Sequence, residues 1–298
     1  MAGHDSAQLR QAYATCERLA REHYENFPVA SRLLPAPMRP HVAAVYAFAR
    51  TADDFADEGH RMPEERHRLL DEWTERLLTC VGAAATTGDG LNDEAGQIFL
   101  ALGATIRALK LPVKLFDDLL SAFRQDITTH RYATWDAVLS YCERSANPVG
   151  RLVLRIAGYD DPSLDTASDA TCTALQLTNF WQDLERDWQK GRLYVPEDDW
   201  RACDADERDL SERRLSEEWH CALERVAGRT RTLFDAGRPV CDRVSGRLRL
   251  ELRLTWLSGI RILDRLEASR YNVFDARPSL GAKDAPFLLW NALTWRSA

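Results

Sequence analysis

Lysine is scarce in this chain of 298 residues: only Lys110, Lys114, Lys190 and Lys283 occur, so arginine supplies nearly all of the basic charge. The formal net charge is −7, which removes bulk electrostatic support for a nucleic-acid partner. Arginine suits bidentate phosphate contacts, but an excess over lysine equally reflects genome composition and carries no functional argument alone. Long apolar runs are missing too. No stretch approaches 18 uncharged apolar residues, so no membrane-spanning helix is expected. The segment MAGHDSAQLR is polar and lacks the apolar core of a secretory signal. The seven cysteines, Cys16, Cys80, Cys142, Cys172, Cys203, Cys221 and Cys241, form no CxxC. Their odd number and wide spacing predict a reduced, intracellular protein without a zinc site. GxGxxG and GxxxxGK[ST] are absent, which removes the usual nucleotide signals, and no GxSxG marks a serine hydrolase.

What is present is helical periodicity. Helices are expected over 7–24, through HVAAVYAFARTADDFAD to a stop near Gly59, and over 63–80, 94–109, 112–123, 134–145 and 148–158. A long helix is expected over 164–190, ended by Gly191, followed by 211–235 and 242–270. Residues 85–93 and the acidic stretch 197–210 read as loops, and Pro286 opens a last short helix. No strand alternation and no repeat stands out, and linkers are short. One all-α domain over 1–298 follows, with its core over about 10–275 and a C-terminal helix over about 286–296. That helix carries Phe287, Leu288, Leu289, Trp290, Leu293 and Trp295, and it either docks on the core or meets a membrane surface.

Two aspartate pairs carry the chemistry. Asp53 and Asp57 lie in YAFARTADDFADE, and Asp183 and Asp187 in LQLTNFWQDLERDWQKGRLYVP. Spacing of i,i+4 puts each pair on one helix face, and the apolar neighbours predict largely buried helices. Buried carboxylate pairs need a cation or hydrogen-bond donors, so two such pairs suggest one cavity holding several hard divalent cations. Tyr46, Arg50, Asp53 and Asp57 form one stripe, and Gln176, Asn179, Asp183 and Asp187 form another. Ordinary surface stripes with Arg50 and Arg186 as ion-pair partners have the same spacing, so this alternative stays open. Carboxylates with amide oxygens suit Mg²⁺. A di-iron bundle would need ExxH on core helices, and the two such pairs here, Glu64 with His67 and Glu217 with His220, lie in charged stretches. Arg50, Lys190, Arg192 and Tyr194 sit beside the acids and could contact phosphate oxygens, although basic residues also favour a helix C-terminus.

These two stretches resemble the aspartate-rich motifs of the squalene and phytoene synthase family, over roughly 10–275. The resemblance implies the isoprenoid synthase fold, a single all-α domain around a central cavity. ENFPVAS at 25–31, YCERSANPVGRLVL at 141–154 and NFWQDL at 179–184 are similar to the hydroxysqualene synthase branch of bacterial hopanoid biosynthesis. The family segment AGxVG is replaced by Ala146-Asn147-Pro148-Val149-Gly150, which is expected to reshape the wall near Tyr141.

By resemblance, Asp53, Asp57, Asn179, Asp183 and Asp187 are Mg²⁺ ligands, and Arg50, Lys190 and Arg192 are diphosphate contacts. Tyr46, Tyr141, Gln176 and Tyr194 are cavity residues, Asn26 and Phe27 belong to the diphosphate region, and Tyr271 matches a tyrosine ending the last core helix. The implied reaction is Mg²⁺-assisted ionisation of presqualene diphosphate, cation rearrangement and water capture to give hydroxysqualene, without NADPH. Tyr141 and Asn179 are candidates to orient the water. The nearest alternative is condensation of two farnesyl diphosphates to presqualene diphosphate or squalene. A catalytically silent assembly protein is the rival of another class, and the retention of both aspartate pairs weighs against it. An apolar substrate implies peripheral contact with the inner membrane or with other enzymes of the squalene pathway, from a cytoplasmic location.

Overall fold

Proline, polar caps and left-handed residues set most of the helix ends in this computed structural model, which describes residues 2–22, 33–82 and 93–295. Every regular element among them is helical. Contacts group the chain into two compact units: residues 1–128 with 151–160, and residues 129–150 with 161–298.

The first unit contains α1 (Ala2–Glu22), α2 (Arg39–Asp57), α3 (Pro63–Gly82), α4 (Glu94–Leu109) and α5 (Val113–Asp126). Pro40 lies in the first turn of α2, where its missing N–H costs nothing. Asp93 caps α4 by accepting from the Gly96 N–H at 2.7 Å. Lys110 ends α4 in left-handed backbone at φ 52°. α2 packs against α1, α3, α4 and α5. Its buried face carries Phe48, whose ring lies 6.0 Å from Trp73, 6.0 Å from Phe99 and 5.6 Å from Phe116. These aromatic contacts hold the helix that bears the first aspartate pair.

The second unit contains α6 (Trp135–Ser145), the start of α7 (Asn147–Ile156), α8 (Pro162–Gln182), α9 (Leu184–Gln189), α10 (Glu197–Arg201), α11 (Glu207–Ser211), α12 (Glu217–Gly237), α13 (Val240–Arg243), α14 (Gly246–Ala268) and α15 (Ala285–Leu293). α8 is its centre and packs on α6, α12 and α14. Fully buried Trp181 donates to Thr230 Oγ1 at 2.9 Å, joining α8 to α12. Gly237 permits the close approach of those helices, since a Cβ there would lie 2.6 Å from the Thr171 backbone nitrogen. Gly150 does the same for α7, where a Cβ would meet Cys172 Sγ at 2.6 Å.

Several expectations change. The helix over 164–190 is divided at Asp183, whose φ of −100° and ψ of 13° are not helical. The stretch 197–210 forms the single-turn helices α10 and α11 rather than a loop, because each begins with acidic residues that favour a helix N-terminus. The helix over 242–270 starts only at Gly246, after the short α13. The expectation of uniformly reduced cysteines fails as well: Cys203 and Cys221 form a disulfide with Cα atoms 6.0 Å apart. Packing of α10 on α12 brings together two residues that the sequence separates by 18. α15 packs on α14, burying Leu288 and Ala292, while Trp290 and Leu293 remain 68% and 70% exposed.

Candidate active site

Three turns of α2 carry Tyr46, Arg50, Asp53 and Asp57 on one side, with Ala44, Phe48, Ala52 and Ala56 buried on the other. The helix ends at Asp57, and Glu58 turns extended at ψ 153°. Arg66 of α3 donates to the Ala56 carbonyl, to the Phe55 carbonyl at 3.3 Å and to the Gly59 carbonyl at 2.8 Å. It thereby satisfies acceptors that a helix C-terminus leaves open. The acidic end of α2 is thus set by another helix of the same unit.

The stripe is half-exposed rather than largely buried, with the Asp53 side chain 41% accessible. Arg50 lies 3.2 Å from Asp53, 2.7 Å from Asp54 and 2.7 Å from Glu58. Burial works against the guanidinium charge, but Asp54, Asp53 and Glu58 outweigh it and raise the Arg50 pKa. Burial pushes the Tyr46 phenol above its ordinary pKa, with nearby Arg50 opposing. Asp54, which the sequence reading did not single out, is therefore part of this acidic cluster.

In the second unit, helical hydrogen bonds run through the break in α8. Asp183 N–H donates to the Asn179 carbonyl at 2.8 Å, and Asp187 N–H to the Asp183 carbonyl at 2.8 Å. Asn179, Asp183 and Asp187 therefore keep the expected common face, with half-buried Gln176 one turn before them. Gly191, at φ 78°, closes the end of α9, and the Arg192 N–H returns to the Asp187 carbonyl at 2.7 Å. Lys190 is exposed beside it.

Asp183 is heavily engaged. Asn179 Nδ2 donates to Oδ2 at 2.8 Å, and Arg277 donates through Nε to Oδ1 at 2.5 Å and through Nη2 to Oδ2 at 2.9 Å. The Asn179 amide thus turns its nitrogen, and not its carbonyl oxygen, to Asp183. Arg277 was not legible in the sequence, since it lies 94 residues from its partner in a stretch without periodicity.

Tyr141 and Tyr194 meet in a buried aromatic group with Tyr132 and Phe180. Phe180 and Tyr194 stack with centroids 3.7 Å apart, and Tyr132 lies 5.6 Å from Tyr194 and 5.7 Å from Tyr141. Tyr132 and Phe180 are further members that the sequence reading missed, although Phe180 lies next to Asn179. Tyr271 ends the α14 region at φ 59°, and burial raises its pKa, with Glu267 and Glu224 adding to the effect. Asn26 and Phe27 lie outside the described residues.

The oxygen donors are carboxylates in the first stripe and carboxylates with side-chain amides in the second, a set that fits Mg²⁺ and not a soft metal. Among the described residues no three His, Cys, Asp or Glu side chains converge as a metal cluster.

A sequence profile of the family described as squalene/phytoene synthase matches residues 20–284. A hydroxysqualene synthase of Rhodopseudomonas palustris is 35% identical over 82% of this chain and 80% of its own length. One from Zymomonas mobilis is 36% identical over 70% of this chain and 67% of its own. Among solved structures, the squalene synthase HpnC of Alicyclobacillus acidocaldarius is 39% identical with a TM-score of 0.81, covering 89% of this chain and 97% of that one. A dehydrosqualene synthase at 21% identity has a TM-score of 0.83 and speaks for the fold alone. The fold is the all-α isoprenoid synthase fold.

Proposed function

The chain belongs to the squalene/phytoene synthase family, and from that premise we propose that it is a prenyl-diphosphate-processing enzyme that converts presqualene diphosphate to hydroxysqualene and diphosphate. The similarity to hydroxysqualene synthases at 35–36% identity supports the choice of product. The structural observation that carries the chemistry is the continuous face of Asn179, Asp183 and Asp187 in the unit that also holds the Tyr132–Tyr141–Phe180–Tyr194 cluster.

In this reading Asn179, Asp183 and Asp187 would hold Mg²⁺ in the second unit, as Asp53 and Asp57 would in the first, and the metal would supply positive charge to a departing diphosphate. Arg50, Lys190 and Arg192 contact diphosphate oxygens. The carbon–oxygen bond breaks with its electron pair leaving on diphosphate. The cyclopropylcarbinyl cation that remains rearranges, and the electron-rich ring faces of the tyrosine–phenylalanine cluster stabilise it. Water attacks the rearranged cation and loses a proton, giving the alcohol. Charge balances without a hydride donor, so no NADPH is required.

The second reading is condensation of two farnesyl diphosphates to presqualene diphosphate or squalene. The similarity to a protein described as a squalene synthase favours it. Incubating the purified protein with presqualene diphosphate and Mg²⁺, with farnesyl diphosphate in parallel, separates the two.

A further inference from the structure

The chain beyond α14 ties itself to the acidic end of α8. Arg270 and Tyr271 both take left-handed backbone, at φ 51° and 59°. Two consecutive non-glycine residues in that region cost energy that surrounding contacts must offset. The Tyr271 N–H donates to the Leu266 carbonyl at 2.6 Å, and the Tyr271 side chain is buried. The reversal launches a strap without helix over residues 272–281. Arg213 donates to the Phe274 carbonyl at 3.1 Å, fixing the start of the strap. Gln182 Nε2 donates to the Pro278 carbonyl at 2.5 Å, and Arg277 forks onto Asp183. Two adjacent residues at the end of α8 thus grip two adjacent residues of the strap.

The fork occupies both oxygens of Asp183, and Asn179 shares one of them. The carboxylate is 16% accessible and the guanidinium 27%, so solvent screens the pair only in part. A carboxylate has about four acceptor positions, and three hydrogen bonds already fill most of them. A divalent cation on Asp183 has to share these oxygens with the three donors, and it also repels the guanidinium. We propose that Arg277 is a positioning residue that competes with a divalent cation for the oxygens of Asp183, so that cation binding there loosens the 272–281 strap. The proposal rests on Asp183 being a metal ligand. Linkage makes the effect reciprocal: whatever holds the strap on Asp183 weakens the cation, and the cation weakens the strap.

The test uses Mn²⁺ as a probe, counted by the electron paramagnetic resonance signal of the free ion, on the full chain without prenyl substrate. Arg277→Gln is expected to bind Mn²⁺ about five-fold more tightly than the parent, with Arg277→Lys in between because it keeps charge but loses the fork. Amide exchange over residues 272–281 is expected to quicken on adding Mn²⁺ to the parent chain. In Arg277→Gln it should be fast already. Unchanged or weaker Mn²⁺ binding by Arg277→Gln overturns the proposal. So does strap exchange in the parent that ignores Mn²⁺, a readout that holds even if the glutamine variant folds poorly. Asp183→Asn separates the two levels. If it binds Mn²⁺ like the parent, Asp183 is no ligand and the underlying reading fails. If it binds weakly while Arg277→Gln does not tighten, only the competition fails.

Discussion

Phe180 and Tyr194 stack face to face, with ring centroids 3.7 Å apart and planes inclined by 3°. Phe180 comes from α8, one residue after Asn179, and Tyr194 from the segment after α9. The stack therefore joins the acidic stretch to the aromatic cluster. Replacing Phe180 by Leu keeps an apolar side chain but removes the ring. If the cluster steadies a carbocation, Phe180→Leu should slow turnover by about ten-fold, as expected for a cation–π contact of roughly 1–2 kcal/mol. Steady-state kinetics with a thermal melt as control checks this, and an unaltered kcat would remove Phe180 from the reaction.

Asp53→Asn and Asp183→Asn should each lower turnover by at least about 100-fold, because each removes a charged oxygen from the proposed metal sites. Their folds should survive, since Asp53 is half-exposed and Asp183→Asn keeps the side-chain shape and one acceptor oxygen for Arg277. Circular dichroism and initial rates measured on the same preparations decide it. Full activity in either variant strikes that residue from the site.

Asp199 joins two helices of the second unit through a pair of arginines. It is buried between Arg225 at 3.2 Å and Arg229 at 3.0 Å, and it ties α10 to α12. Asp199→Ala leaves two arginines facing each other and should cost about 2–4 kcal/mol, at the lower side of buried pairs because both arginines reach solvent. Urea unfolding measures it. The Cys203–Cys221 disulfide closes a loop in the same region and should add about 2–3 kcal/mol, which reductant removes.

Buried thiols contribute to the loss of stability at alkaline pH. Burial pushes Cys80 up to about 11 and Cys16 up to about 12, from an ordinary value near 9. The folded chain keeps protons that the unfolded chain releases, so this contribution is complete below about pH 9 and is lost as pH rises through about 11 to 12. Denaturant midpoints should fall over that window, and Cys80→Ser should flatten part of the decline. A midpoint constant up to pH 11 would contradict the assignment.

The helices were legible wherever periodicity and end signals agreed. Asp161-Pro162 starts α8 as a capped turn, and Gly191 ends α9 in left-handed backbone. The spacing of Asn179, Asp183 and Asp187 also carried through, because helical hydrogen bonds persist across the break at Asp183. The break itself had no local signal. No glycine or proline stands there; the side chains of Gln182 and Asp183 are held by a strap nearly a hundred residues on. Arg277 and Tyr132 escaped for the same reason, since their roles arise from tertiary contact. The cysteine reading failed because pairing depends on the packing of α10 on α12.

The most direct measurement incubates the purified chain with presqualene diphosphate and Mg²⁺, omitting NADPH, and identifies the neutral lipid product by mass spectrometry. The account predicts hydroxysqualene and an equal amount of diphosphate, with the oxygen of H₂¹⁸O incorporated into the alcohol. Inertness toward presqualene diphosphate, together with turnover of farnesyl diphosphate alone, would contradict it.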